Sequence, residues 1–232
     1  MKNSITIDSV EDILEILSKH RKSSNIKYRG QSKKEWQLIP KAGRPPFNLR
    51  DDQNLFGQWK RRAIAYIDKE NHTEWEWLAI AQHTGVPTRL LDWTHNPLVA
   101  IFFACIENLE SDGSLFIYKP KALYNISQNT PFKIEKDTVK FFQPSASSNR
   151  IINQFGYFSI HNQPSLEMTE KTTDGKLERI VIKSEIKKDI IFMLNQFGIN
   201  NLTIFPDLEG LAKHLTWFYE NYEHWDGSIP VE

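Results

Sequence analysis

The chain has 232 residues, is 40% hydrophobic and 12% aromatic with seven tryptophans, and balances 29 basic against 29 acidic side chains. That apolar content excludes a disordered polymer, and a formal net charge of zero excludes partner selection by bulk charge. Its single cysteine, Cys105, excludes an intramolecular disulfide and a thiolate zinc site.

No apolar run approaches the ~20 residues of a membrane span. The opening MKNSITIDSVEDIL lacks the apolar core of a signal peptide. A cytoplasmic protein with no membrane partner is therefore expected. Charge is unevenly spread: Lys27 to Arg62 holds ten Lys/Arg against three Asp/Glu, whereas Asn201 to the end holds one against six. The basic stretch suits an anionic partner or is simply a solvated face.

In chain order, Ser9–His20 reads as an amphipathic helix with Val10, Ile13, Leu14 and Leu17 inward, Ser9 as N-cap and Asp12 completing a near capping box. Ile26–Arg29 reads as a strand ended by Gly30, and Glu35–Pro40 as a second short strand. Lys41–Asn48, with Gly43, Pro45 and Pro46, is loop. Asp51–Asn71 is expected to be a long helix with Leu55, Trp59, Ala63, Tyr66 and Ile67 inward. Thr73–Gln82 is a further helix, capped by Thr73 with Glu76 three residues on.

Thr88–Asp92 reads as a strand feeding a helix from Pro97 to Asn108, and Gly113–Lys119 as another strand. Between residues 120 and 150 only Phe132–Ile134 and Val139–Phe142 look strand-like. Ile151–Ile160 alternates as a strand with one open face, and Leu177–Ile182 is a strand. Ser184–Phe197 is a helix with Ile186, Ile190, Met193, Leu194 and Phe197 inward and Gly198 as its stop. Leu202–Phe205 is read as a strand, and Pro206-Asp207 opens a last helix to about Tyr222. Without an internal repeat or obvious linker, the expectation is one α+β domain: residues 1–25 an N-terminal helix, 26–212 a motif-bearing core, 213–232 the end of the last helix and a tail.

The most informative stretch is Gln82–Ile106, QHTGVPTRLLDWTHNPLVAIFFACI. From Leu98 onward it is apolar on every side, as a buried helix is. Asn96 suits the N-cap and Pro97 the first helical position. Polar chemistry from His83, Thr88, Arg89, Asp92, Thr94 and His95 is thus carried to the positive end of a buried helix, a setting that favours an anionic ligand.

Two stretches resemble the FRG domain, a bacterial family named for a Phe/Tyr-Arg-Gly signature. One is Tyr28-Arg29-Gly30-Gln31. The other is Gln82-His83-x-Gly85-x-Pro87-Thr88-Arg89-Leu90-Leu91-Asp92-Trp93-Thr94, followed by Asn96-Pro97 and Ala100. Looser matches are Arg150-x-x-x-Gln154-x-Gly156-x-Phe158 and Phe205-Pro206-Asp207-Leu208-x-Gly210-Leu211-Ala212. The family is distantly similar to ADP-ribosyltransferases. The resemblance implies an ADP-ribosyltransferase-like split β-sheet core with helices packed around it and NAD as co-substrate. It also implies toxin–antitoxin or phage-defence roles with a neutralising antitoxin protein.

By its order of elements the resemblance implies catalytic positions at Arg29, Thr94 and Gln154, with Glu209 the alternative to Gln154. Tyr28, Gln31, His83, Arg89 and Asp92 are the cofactor-binding candidates. The sequence departs from the transferase pattern at Gln154, where an amide stands and no Glu-x-Glu pair is near.

The chemistry is coherent on physical grounds. Cleaving a nicotinamide–ribose bond builds positive charge on the ribose carbon, so a site must hold the pyrophosphate, orient hydroxyls and stabilise that charge. A guanidinium such as Arg29 matches phosphate or ribose oxygens bidentately. Tyr28 is suited to stack on a flat ring. An amide cannot act as a general base, so His83 or Asp92 must accept the proton if Gln154 is the third residue.

Structural alternatives stand beside these. Arg29 pairs with Asp92 or a C-terminal acid, His83 is a hydrogen-bonded helix end, Thr94 supports the N-cap, Trp93 is core and Asp207 is a helix cap. The expected function is an NAD-dependent ADP-ribosyltransferase-like toxin or phage-defence effector acting on a macromolecule, RNA favoured. The alternative is a non-catalytic nucleotide- or RNA-binding module. No metal is expected.

Overall fold

The computed structural model describes residues 5–67, 72–144 and 156–223. Seven strands, β1 (Ile5–Ile7), β2 (Lys27–Gln31), β3 (Leu90–Thr94), β4 (Gly113–Lys119), β5 (Val139–Phe142), β6 (Gly156–His161) and β7 (Lys176–Ile182), form one mixed sheet in the order β1-β7-β4-β2-β3-β6-β5. The β1–β7 pair is parallel and the other pairs antiparallel. Seven α-helices among the described residues accompany it: α1 (Val10–His20), α2 (Asp52–Ala63), α3 (Glu74–His83), α4 (Pro97–Cys105), α5 (Lys187–Gln196), α6 (Asn201–Ile204) and α7 (Leu208–Asn221). The fold is therefore α+β. None of these helices is long and apolar enough to cross a membrane.

The sheet is continuous except at one place. Every residue of β2 pairs with β4, from Lys27↔Tyr118 to Gln31↔Ser114, and every residue of β3 pairs with β6. Between β2 and β3 a single pair, Tyr28↔Thr94, holds the register. The sheet thus forks: four strands lie on the β2 side and three on the β3 side, hinged at that pair.

Side chains alternate across a strand, so the two faces are built separately. On one face Tyr28, Leu115, Ile117, Ile180 and Ile182 pack under α1, α4 and α5, and beside them Leu90, Phe158 and Ile160 pack under α2 and α3. On the other, Leu91, Trp93, Phe116, Tyr118 and Phe141 are closed over by Leu38 and Met168, whose loops are tied by Met168 N–H donating to Leu38 O at 3.0 Å. Helix α4 is pressed hardest onto the sheet. At Gly30 an added Cβ would fall 1.8 Å from Ala100 O and 2.6 Å from Ala104 N, so only glycine permits this approach.

Buried polar groups are anchored individually. Lys187, fully buried, donates from Nζ to Ser32 O at 2.8 Å, Asn108 O at 3.0 Å and Glu107 O at 3.3 Å. It joins the exit of β2 to the carbonyl end of α4, where a cation is favoured. Arg89 forms a bidentate pair with Asp52, Nε–Oδ2 2.8 Å and Nη2–Oδ1 2.7 Å. The same guanidinium donates to Asn162 O at 2.9 Å and lies over the Phe132 ring.

His161 is fully buried, with Nδ1 2.6 Å from Leu166 O. Burial lowers its pKa from 6.5 to about 4, and the Arg29 and Arg89 charges push the same way against the Leu166 bond. A histidine depressed in the folded state costs nothing above pH 6.5. As pH falls from 6.5 to about 4 the unfolded chain gains a proton that the folded chain refuses. The expected loss is about 3 kcal/mol. Urea titrations across this window should show a slope that His161→Gln removes.

Several expectations need correction. Glu35–Pro40 is not a strand: it forms turns around the buried Leu38. The helix opening at Asp51 ends at Ala63, and its buried side is Phe56 and Ala63, while Leu55 and Tyr66 are exposed. In α1 Ile16 is buried and Leu14 exposed. Helix α4 stops at Cys105 rather than Asn108. Phe197 is exposed beyond the end of α5, although Gly198 does terminate that helix at φ +75°. Leu202–Phe205 is not a strand: Leu202 to Ile204 belong to α6 and Phe205 is its C-cap, because Asn200 accepts from Thr203 N–H while Thr203 Oγ1 accepts from Asn200 N–H, a reciprocal cap. The caps at Ser9, Thr73, Asn96 and Asp207 form as expected.

Candidate functional site

A cleft of about 800 Å³ opens at the fork between β2 and β3. Its lining comes from β2 (Tyr28 to Gln31), the end of α3 (Gln82, His83), β3 (Asp92 to Thr94), one side of α4 from Val99 to Phe103 with Ile106 and Glu107 beyond its end, the start of β6, Asn201 and Phe205 at α6, and one side of α7. The fork explains the location, because residues 29–31 and 90–93 are adjacent strand segments without ladder bonds between them.

Arg29 spans this gap. Its Nη1 donates to the Asp92 carbonyl at 2.6 Å and lies 3.9 Å from Asp92 Oδ2. Its Nε is buried without a hydrogen-bond partner among the described residues, as is the Oε1 of Gln31, two residues along. The Gln31 amide is oriented by Nε2 donating to Gln37 O at 3.3 Å. Burial lowers the Arg29 pKa to about 10, Asp92 opposing and Arg44 assisting the shift, so the guanidinium stays cationic at neutral pH. Arg44, whose Nε donates to Ile39 O at 2.7 Å, brings a second guanidinium to the same cleft.

Asp92 is half-exposed, and its Oδ2 accepts from Gln82 Nε2 at 2.7 Å. Thr94 is buried, with Oγ1 accepting from Asn96 N–H at 3.0 Å, two residues before Leu98 N–H donates to Asn96 Oδ1. His83 stands at the end of α3 with its ring edge-on to Phe158, centroids 5.8 Å apart. Tyr28 lines the cleft but is largely sunk in the core beneath α4, and burial raises its pKa.

Of the residues expected from sequence, Arg29, Thr94, Tyr28, Gln31, His83 and Asp92 come together in this cleft. Gln154 lies outside the described residues; Gly156, two positions later, pairs with Thr94. Arg89 does not reach the cleft lining, because Asp52 and Asn162 engage its guanidinium. Glu209 is exposed in the first turn of α7, ion-paired to Lys213 at 2.7 Å, and is not part of the lining. Lys213, Trp217 and Glu220 of α7, together with Trp36, Arg44 and Tyr157, do line it and were not anticipated. The positions 213, 217 and 220 share one helical face, a signal present in the sequence but without a site to attach it to.

No group of three or more His, Cys, Asp or Glu side chains able to hold a metal occurs among the described residues. The basic stretch is partly neutralised: Lys34 pairs with Asp112 at 2.9 Å, and Lys60 pairs with Glu74. Arg50, Arg61 and Arg62 remain exposed. Trp59 is packed, stacking on Phe56 and meeting Trp77 edge-on.

No curated protein and no solved structure matches the chain. The model of the FRG domain matches residues 24–113, a span that runs from just before β2 to the first residue of β4 and contains β2, α3, β3 and α4 with the fork between them; the chain carries an FRG domain.

Proposed function

We propose that this protein is an NAD-dependent ADP-ribosyltransferase-like effector, a toxin or phage-defence component that transfers ADP-ribose to a macromolecule, RNA before protein. The observation that carries the reading is the cleft at the forked sheet, where Arg29, Thr94, His83 and Asp92 meet in a volume of about 800 Å³, within the usual range for small-molecule sites.

The side chains present fit such a ligand. Arg29 and Arg44 suit a pyrophosphate, Thr94 and Asp92 suit ribose hydroxyls, and the Nε of Arg29 and Oε1 of Gln31, without partners among the described residues, offer a buried donor and acceptor. NAD would supply the electrophilic ribose carbon. The exposed arginines of the basic stretch favour a nucleic-acid acceptor, and an antitoxin protein would neutralise the cleft in cells. Incubation with labelled NAD and total cell RNA or protein tests acceptor and activity together: label is expected in RNA. Expression of the wild-type protein is expected to arrest growth and Arg29→Ala to relieve it. Equal growth with both would count against a toxin.

One observation favours a second reading, a non-catalytic nucleotide- or RNA-binding module. The described part of β6, Gly156–His161, carries no carboxylate. NAD binding without nicotinamide release would establish that reading.

A further inference from the structure

The polar chain behind Asp92 has a fixed direction. Leu90 N–H donates to Thr88 Oγ1 at 3.1 Å, and the Thr88 hydroxyl donates its single proton to Gln82 Oε1 at 2.5 Å. With its carbonyl so engaged, the Gln82 amide must present Nε2 to Asp92 Oδ2, which it meets at 2.7 Å. Thr88 is buried, at 2% exposure, so water does not compete for its hydroxyl. The relay starts at a backbone N–H of β3 and ends at a carboxylate of the same strand. It fixes one oxygen of Asp92 and leaves Oδ1 without a hydrogen bond among the described residues, in a side chain that is 46% exposed at the cleft. Arg29 holds the backbone carbonyl of the same residue. Both ends of Asp92 are thus restrained while one oxygen atom is offered outward.

From this geometry we infer that Asp92 is the proton acceptor of the transfer reaction, with Gln82 and Thr88 as its positioning residues. The inference rests on the ADP-ribose transfer reading given above. As an acceptor hydroxyl forms its C–O bond to the ribose carbon, Asp92 takes the hydroxyl proton. The C–N bond to nicotinamide breaks and its electron pair leaves with the neutral ring, so charge and atoms balance without a further reactant. His83 is less suited to this task, since its ring packs edge-on against Phe158 at the end of α3, whereas Asp92 is aimed by two partners and open to the cleft. The acceptor carboxylate would then come from β3.

The test measures nicotinamide release from NAD by the full chain, with NAD binding followed by calorimetry. Asp92→Asn keeps shape and removes the acceptor; kcat is expected to fall about 100-fold with KM within about threefold. Thr88→Val frees the Gln82 amide to flip; kcat is expected to fall roughly fivefold to tenfold, and Thr88→Ser, which keeps the hydroxyl, is expected to restore it. A merely structural role for Thr88 would not give that rescue with KM unchanged. Should Asp92→Asn fail to fold, the Thr88 pair decides. Wild-type turnover with Asp92→Asn undiminished, or a rise in KM alone, overturns the inference and leaves the transfer reading intact. Absence of both NAD binding and turnover in the wild type removes the reading and the inference together.

Discussion

Arg29→Lys is expected, on the proposed ADP-ribose-transfer function, to lower NAD turnover by about 100-fold or more, the scale of losing one preorganised charge-stabilising donor, with the fold retained. The reason is geometric. The guanidinium uses Nη1 to bridge the fork to Asp92 O at 2.6 Å while keeping a buried Nε without a partner among the described residues. An ammonium cannot fill the bridging and the second direction in one plane. Arg29→Ala is expected to be at least as severe. Thermal melts and circular dichroism are run beside the kinetics. If both variants unfold, Arg29 serves the sheet and not the chemistry.

The largest stability effect is expected away from the cleft. Asp52→Ala strands the Arg89 guanidinium, which is 9% exposed and otherwise held by Asn162 O and the Phe132 ring. Removing one partner of a buried pair costs about 3–5 kcal/mol, whereas replacing both by apolar groups is close to neutral. Urea denaturation is expected to show that loss for Asp52→Ala and recovery of most of it in the double variant Asp52→Leu, Arg89→Met. A loss below about 1 kcal/mol in the single variant would mean the pair behaves as a solvated one. The pair stitches α2 to the start of β3, so it holds the strand that carries Asp92 without touching the cleft.

What the sequence revealed followed from local rules. Caps at Ser9, Thr73, Asn96 and Asp207 were visible because a side chain two or three residues from the N–H it caps is a short-range fact. Helix α4 was visible because a polar face was missing. Tyr28, Arg29, Gln31, His83, Asp92 and Thr94 of the cleft were visible because they cluster around turns at the ends of β2, α3 and β3.

The errors share a different cause. Leu202–Phe205 was read by its apolar run, although Asn200 and Thr203 form the reciprocal cap that makes it helical. Trp36 and Leu38 mimicked strand alternation, but only Leu38 is buried and the backbone there turns. Along the helix from Asp51, Trp59 and Ala63 pack inward as expected, but Leu55 and Tyr66 do not, and Phe56, outside the expected stripe, is buried against Phe132. Arg89 looked like a ligand contact because its partner, Asp52, lies 37 positions away. No local pattern records that pairing. Distance in sequence likewise hid the contribution of α7 to the cleft wall.

Gly30 has a consequence for how such a site tolerates change. Strand β2 rests on α4 through main-chain atoms, with no room for even a methyl group between them. The height of the Arg29 backbone above that helix is therefore gauged by peptide against peptide, a dimension shared by every sequence. Core side chains around it, such as Val99, Ile117 and Ile180, can be exchanged for others of similar volume with loss of rigidity or stability, while the gauge itself stays constant. The placement of Arg29 and the composition of the core are in this way free to drift independently, provided that one position remains glycine.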